Sequence, residues 1–260
     1  MHLPDHDHPP DSVAQRAADW RHFRRAVGAS LAFVAVLAVV HAAQAGFDAR
    51  LFSVAPGSAA GLLGLLTAPL LHGSLEHLVA NSVAVILLGT LAGWVYPRAS
   101  LRGLPLMWLG SGLGAWLLGD PGSYHLGASG VTHGLMFLVM TLAVLRRDRA
   151  AIAASMIGFM FYGGMLLTVL PREPGVSWQS HLGGAVGGIV AAWVFRRLDP
   201  VAPRKRYSWE LEEEQAAIAA ARAQAEREQF ESGAPDDVPV LWHRPEEERG
   251  TILEFPRRDR

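Results

Sequence analysis

The chain has 260 residues, 50% hydrophobic and only 18% charged, with a mean hydropathy of +0.20 and a formal net charge of −1. Soluble domains are about a quarter charged, and here the charges crowd the first 25 residues, a few short loops and everything after Arg196. This excludes an ordinary soluble domain in favour of a polytopic membrane protein with polar ends; the near-neutral charge gives no reason to expect nucleic acid, and the lack of cysteine removes disulfides and thiolate chemistry.

Residues 1–25 are polar and are expected to form a disordered cytoplasmic N-terminus. His2, His6 and His8 beside Pro9 and Pro10 fit a solvated tail better than a metal cluster. Arg16, Arg21, Arg24 and Arg25 then precede an apolar run from Ala26 to Ala45, long enough to span at ~20 residues. Basic residues, an apolar run and Ala43-Gln44-Ala45 also resemble a signal peptide with its cleavage site. The run is long for a signal segment, and the remaining chain makes a better bundle with it retained. Retention is therefore expected, with cleavage the alternative.

Gly46 to Leu71 is mixed and interrupted by Pro56-Gly57-Ser58, which predicts a loop with interfacial or re-entrant helical pieces. Five further spans are expected at about His77–Tyr96, Leu101–Leu118, Ser129–Leu145, Ile152–Leu170 and His181–Phe195. Pro97, Pro121, Pro171 and Pro174 punctuate the joints. Residues 26–198 thus read as an all-α bundle of six transmembrane helices. Residues 199–260 read as a cytoplasmic extension, with a polar helix over Trp209–Glu231 and a disordered tail from about Ser232.

The N-terminal arginines, Arg98 and Arg102, Arg146/Arg147/Arg149, and Arg196/Arg197 with Arg204/Lys205/Arg206 fall on one side of a six-span protein. Only Arg50 and Arg172 fall on the other. The positive-inside rule then puts both termini in the cytoplasm, and the starts of spans two, four and six at the outer side. A bacterial inner (plasma) membrane is the expected location.

Polar groups inside a bilayer are costly, so they are usually functional or paired. Asn81 precedes Arg98 by 17 residues, Ser129 precedes Arg146 by 17 and His181 precedes Arg196 by 15. At ~1.5 Å per residue all three sit ~22–25 Å above the inner basic ring. They share one level, and nothing in the apolar pattern requires it. His77 lies one turn above Asn81 on the same face. Serine is a poor nucleophile unless a base takes its proton, and histidine is the usual base. Ser129 opens a helix, where free N–H groups and the dipole favour negative charge. Asn81 and His77 offer N–H donors to an oxyanion formed there, beside the N–H groups of Ser129 and Gly130. No Asp or Glu lies within the spans, so a Ser129–His181 dyad is expected rather than a triad. Gly127 and Gly130, and Gly183, Gly184, Gly187 and Gly188, permit close helix approach.

These residues resemble the rhomboid family of intramembrane serine proteases. The resemblance covers roughly residues 26–196. It rests on His72-x4-His77-x3-Asn81, on Gly127-Ala128-Ser129-Gly130 and on His181-x2-Gly184-x3-Gly188, in that order along six spans. It implies a six-helix bundle with the serine at the top of a short fourth helix, in a water-filled cavity open to the outside. It implies cleavage of single-span membrane proteins near the outer boundary, without cofactor or metal. By position Ser129 matches the nucleophile, His181 the general base, and His77 and Asn81 the oxyanion side. His72 matches the first-loop histidine that supports the site. Substrate entry beside the fifth helix makes Ile152–Leu170 the expected gate. There are two departures. The first loop lacks the family's frequent Trp-Arg pair between Gly61 and Leu71. Where an aromatic often packs on the catalytic histidine, this chain has His133, expected to stack in its place.

Two rival readings stand beside this one. A His-lined metal or proton transporter would use His72, His77, His125, His133 and His181, but such sites commonly add a carboxylate, and repeated broken helices are lacking. A catalytically inactive rhomboid-like protein would hold membrane clients without cutting them; the intact Ser129 and His181 argue against it.

Overall fold

The computed structural model describes residues 13–147, 149–171, 175–199 and 208–230. These fall into two units divided after Lys205. Among the described residues every regular element is helical, and one isolated β-bridge joins Val54 to His125.

The first helix, α1 (Val13–Ala43), has 31 residues and starts well before the apolar run. This corrects the expected disordered segment through residue 25. Arg16, Ala17 and Ala18 are good helix formers, and extending a helix already nucleated costs little. The histidines of the first eight residues lie outside the described residues. The interrupted segment that follows consists of single helical turns: 3-10 helices at Gln44–Gly46, Ala49–Phe52, Ala60–Leu62 and Ala68–Leu70, with α2 (Gly64–Thr67) among them.

Next come α3 (Leu75–Ala84), a π-helical turn at Val85–Gly89 and α4 (Thr90–Val95) as one continuous rod. Pro97 opens α5 (Pro97–Leu118), a first-turn position that needs no N–H. The remaining elements of this unit are α6 (Ser129–Arg146), α7 (Arg149–Tyr162) with a 3-10 continuation at Gly163–Leu167, and α8 (Trp178–Phe195). The second unit contains α9 (Ser208–Phe230), whose side chains are almost all exposed, within a residue of the predicted polar helix. The predicted tail from Ser232 lies outside the described residues.

Among the described residues three helical stretches are long and apolar enough to cross a membrane: Arg16–Gly46, Leu75–Val95 and Ser129–Arg146. Ala151–Leu167 is apolar but shorter. The other two expected spans, α5 and α8, are long enough at 22 and 18 residues, but glycine and polar residues dilute them. The structure gives the reason: these helices face each other. Leu101, Leu106, Leu109, Leu113 and Leu117 of α5 point outward, as do Val186, Ile189, Val190 and Trp193 of α8. Ser111, Thr132, His133, Gln179 and His181 are buried. Apolar outside and small or polar inside is the distribution a lipid solvent selects.

The centre of this unit is α8, packed between α5 and α6. One stripe, Gly183 and Gly187, meets Gly110 and Gly114 of α5; the adjacent stripe, Gly184 and Gly188, meets Gly130 and Gly134 of α6. A Cβ on Gly110 would sit 2.6 Å from the Gly183 carbonyl oxygen, so the backbones themselves are in contact. At the other end of these helices Asp199 accepts from the N–H groups of Arg98 (3.0 Å) and Ala99 (2.9 Å), capping α5. Arg146 of α6 donates to the carbonyls of Arg196 (3.2 Å) and Asp199 (2.8 Å) and lies over the Tyr96 ring. The basic ends of α5, α6 and α8 therefore meet.

Gly184→Val would drive a side chain into the Gly130 backbone. Overpacking of this kind costs about 1–3 kcal/mol or more. Thermal unfolding in detergent should show a clear drop for this variant and little change for Gly164→Ala, where a Cβ meets nothing within 4 Å.

Candidate active site

The loop between α5 and α6 is held at three points before it delivers Ser129. The Gly119 N–H bonds the Ala115 carbonyl; His125 pairs with Val54 through both backbone groups at 2.9 Å; the Gly127 N–H reaches the Ala68 carbonyl at 2.9 Å. Gly127 has φ +116°, a conformation that side-chain-bearing residues rarely adopt. Its missing Cβ also matters sterically. A Cβ there would lie 2.6 Å from His77 Cε1, 2.8 Å from His77 Nε2 and 3.6 Å from Asn81 Nδ2. The glycine thus lets the imidazole and amide of α3 approach the residues leading into α6.

Ser129 is the first residue of α6, so the N–H groups of Ser129 and Gly130 belong to the turn that lacks intrahelical acceptors. Its Oγ lies 2.9 Å from His181 Nε2. His181 sits in the first turn of α8, and its Nδ1 lies 3.0 Å from the Thr168 carbonyl oxygen. A carbonyl only accepts, so Nδ1 carries the proton and the Nε2 lone pair faces the serine hydroxyl. Among the described residues no carboxylate is bonded to His181; the Thr168 backbone carbonyl meets its Nδ1 instead.

His77 is the third residue of α3, and its N–H is capped by Ser74 Oγ at 3.1 Å. Asn81 is buried one turn later, and its Nδ2 has no partner among the described residues. Both line, with Ser129, His181, Thr132 and Tyr162, a cavity of about 1110 Å³. The three residues that the sequence puts at one depth therefore share one hollow.

Residues 59–198 match the Rhomboid domain family model. The chain belongs to the rhomboid family. It is similar to an uncharacterized protein of Mycobacterium tuberculosis and one of Mycobacterium bovis, each 37% identical over 180 residues, covering 63% of this chain and 72% of theirs. An uncharacterized protein of Mycobacterium leprae is 36% identical over 141 residues, covering 51% of this chain and 56% of its own. Membership in this intramembrane protease family, together with the apolar helices, makes this a multi-pass membrane protein. Some rhomboid members are inactive, so the chemistry of this one has to be argued from the site.

In this rhomboid, His133 stacks on His181 with ring centroids 3.9 Å apart and an interplanar angle of 13°. Gly130, Gly184 and Gly188 lie where α6 and α8 touch. The ring of His72 is fully buried and meets His77 edge-on at 5.1 Å. The Gln44 side chain clasps the His72 backbone, accepting from its N–H (2.9 Å) and donating to its carbonyl (3.0 Å). The missing Trp-Arg pair has other substitutes. Trp116 donates its indole N–H to the Ser58 carbonyl (3.0 Å), and Trp108 donates to that of Leu66 (3.1 Å). Both tryptophans anchor the first loop from α5.

Thr168, Ser123 and Ser177 have no role in the sequence reading. Thr168 orients His181, while His125 ties Ser123 (2.9 Å) to Ser177 (2.6 Å) at the cavity rim. Serines and threonines in loops carry no periodic signal, so only their neighbours in space reveal them.

Burial pushes the His72 imidazole down to about 4, helped by His77 and His41 nearby. An unfolded histidine titrates near 6.5. Between those values the unfolded chain binds a proton that the folded chain refuses, so stability falls as pH falls through this window. Thermal unfolding in detergent should weaken from pH 7 to pH 4.5 (roughly that window), and His72→Phe should make that dependence shallower.

Proposed function

We propose that this rhomboid is an active intramembrane serine endopeptidase, cutting single-span membrane proteins near the outer face of the membrane through a Ser129–His181 dyad. The observation that carries the reading is the 2.9 Å contact between Ser129 Oγ and His181 Nε2, inside a cavity that also holds His77 and Asn81.

In the first step Ser129 Oγ bonds the scissile carbonyl carbon while its proton moves to His181 Nε2. The carbonyl electron pair becomes an oxyanion, met by Asn81 Nδ2, the His77 ring N–H and the N–H of Ser129. Collapse of this intermediate breaks the C–N bond, and His181 returns the proton to the leaving amine. Water from the cavity, deprotonated by His181, then opens the acyl-enzyme. The Thr168 carbonyl steadies the imidazolium through both proton transfers.

The topology of this reading is six spans, with α1, the α3–α4 rod, α5, α6, α7 with its continuation, and α8. Both termini are cytoplasmic in a bacterial inner membrane. The meeting of Arg98, Arg146 and Arg196 at the end away from the cavity supports that orientation under the positive-inside rule. Substrate enters beside α7. That helix exposes Met156, Phe159, Met160 and Phe161, and Tyr162 at its end and Met165 of its continuation line the same cavity as Ala80 and Ala84 of α3.

Cleavage of a single-span reporter with small residues near its outer boundary tests this. Ser129→Ala and His181→Ala should each abolish cleavage in a folded protein. Asn81→Ala should slow it by about 10²–10³. A metal chelator should leave the rate unchanged. Cleavage by Ser129→Ala would mean the nucleophile is wrong.

A further inference from the structure

The stacking of two imidazoles is only part of what His133 does. Its Nδ1 lies 2.7 Å from the Ser129 carbonyl oxygen, and its Nε2 lies 2.9 Å from Thr168 Oγ1. The ring meets two carbonyls, Ser129 at 2.7 Å from Nδ1 and Met165 at 3.2 Å from Nε2; the closer one takes the proton of neutral His133, so Nε2 accepts from the threonine hydroxyl, whose single proton then does not go to Met165. His181 has the same pattern with the partners exchanged. Its Nδ1 donates to the Thr168 carbonyl, and its Nε2 accepts from the Ser129 hydroxyl. Ser129 therefore gives its hydroxyl to one ring and its carbonyl to the other, and Thr168 does the same in reverse.

We infer that His133 and Thr168 are positioning residues for the dyad, forming with Ser129 and His181 a closed, reciprocal hydrogen-bonded ring that fixes the plane and tautomer of the base. The inference rests on the dyad reading above. Its chemistry differs from simple ring packing. A phenyl group at position 133 would fill the same space and stack, but could accept nothing from Thr168 and give nothing to Ser129. The two imidazoles are well buried, His133 being 2% exposed and His181 6%, which strengthens their hydrogen bonds. Thr168 is itself held by its N–H, 3.1 Å from the Met165 carbonyl. The end of the segment following α7 thereby reports directly to the base. This arrangement takes over the orienting job that a carboxylate does in triads, using a backbone carbonyl and a second histidine.

The test uses His133→Phe, which keeps a stacked ring, and Thr168→Val, which removes the hydroxyl and keeps the carbonyl, in the full chain in detergent. Loss of one neutral hydrogen bond is about a tenfold effect. Each variant should lower kcat by about tenfold with KM unchanged. The double variant should be no slower than the worse single one, because both break the same bond. Thr168→Ser should recover most of the lost rate. Nitrogen-15 NMR of labelled histidine gives a readout independent of turnover. His181 should hold its Nδ1–H tautomer in the parent protein, and populate both tautomers in either variant. Unchanged kcat and an unchanged tautomer in both variants would overturn the inference and leave His133 as a packing ring. An unaltered cleavage rate in Ser129→Ala would instead remove the dyad reading, while the tautomer measurement would still decide the ring.

Discussion

The site depends on how closely two helix backbones can approach. Ser129 and His181 sit on α6 and α8, and a hydroxyl reaches an imidazole at 2.9 Å only because Gly130 and Gly134 face Gly184 and Gly188 with no side chains between them. In lipid there is no hydrophobic drive to push helices together, so contact has to come from shape and from polar bonds. Glycine provides the first, and the Ser129–His181 contact contributes to the second. A methyl group at this crossing would separate the two functional groups as well as the helices.

The same constraint explains where the polarity lies. His133, Thr132, Asn81 and His181 are buried in a unit whose outer surface is leucine, valine, methionine and phenylalanine. Buried polar groups of this kind cost free energy unless bonded. Most here are bonded, in a network that joins α6, the segment after α7, and α8. Asn81 Nδ2 is the exception that faces the cavity with no protein partner among the described residues. A donor left open in that position is what a developing negative charge needs.

Anchoring of the loops completes the arrangement. Gln44, Trp108 and Trp116 hold the first loop, and Val54 and Ala68 hold the loop leading to Ser129. All five contacts join residues far apart in sequence. They place Gly127 against His77, and they bring the free turn of α6 to the mouth of the cavity. The segment after α7 is tied in at Thr168, whose carbonyl lies 3.0 Å from His181 Nδ1 and whose hydroxyl lies 2.9 Å from His133 Nε2.

Much of this was legible before any coordinates. Hydropathy located the helices, and the offsets of Asn81, Ser129 and His181 from the basic residues put them at one depth, because helix rise is constant. The order of the short motifs pointed to the family. Helix starts were less legible: α1 begins at Val13, since strong helix formers extend a helix past its apolar part. The sequence alone determined composition, periodicity and depth, all of which follow from local geometry along one helix. Only the tertiary structure decided which polar atoms meet. Thr168, Gln44 and the two loop-anchoring tryptophans acquire their roles from partners on other segments, and no pattern along the chain encodes the rotation of one helix about its axis relative to the next.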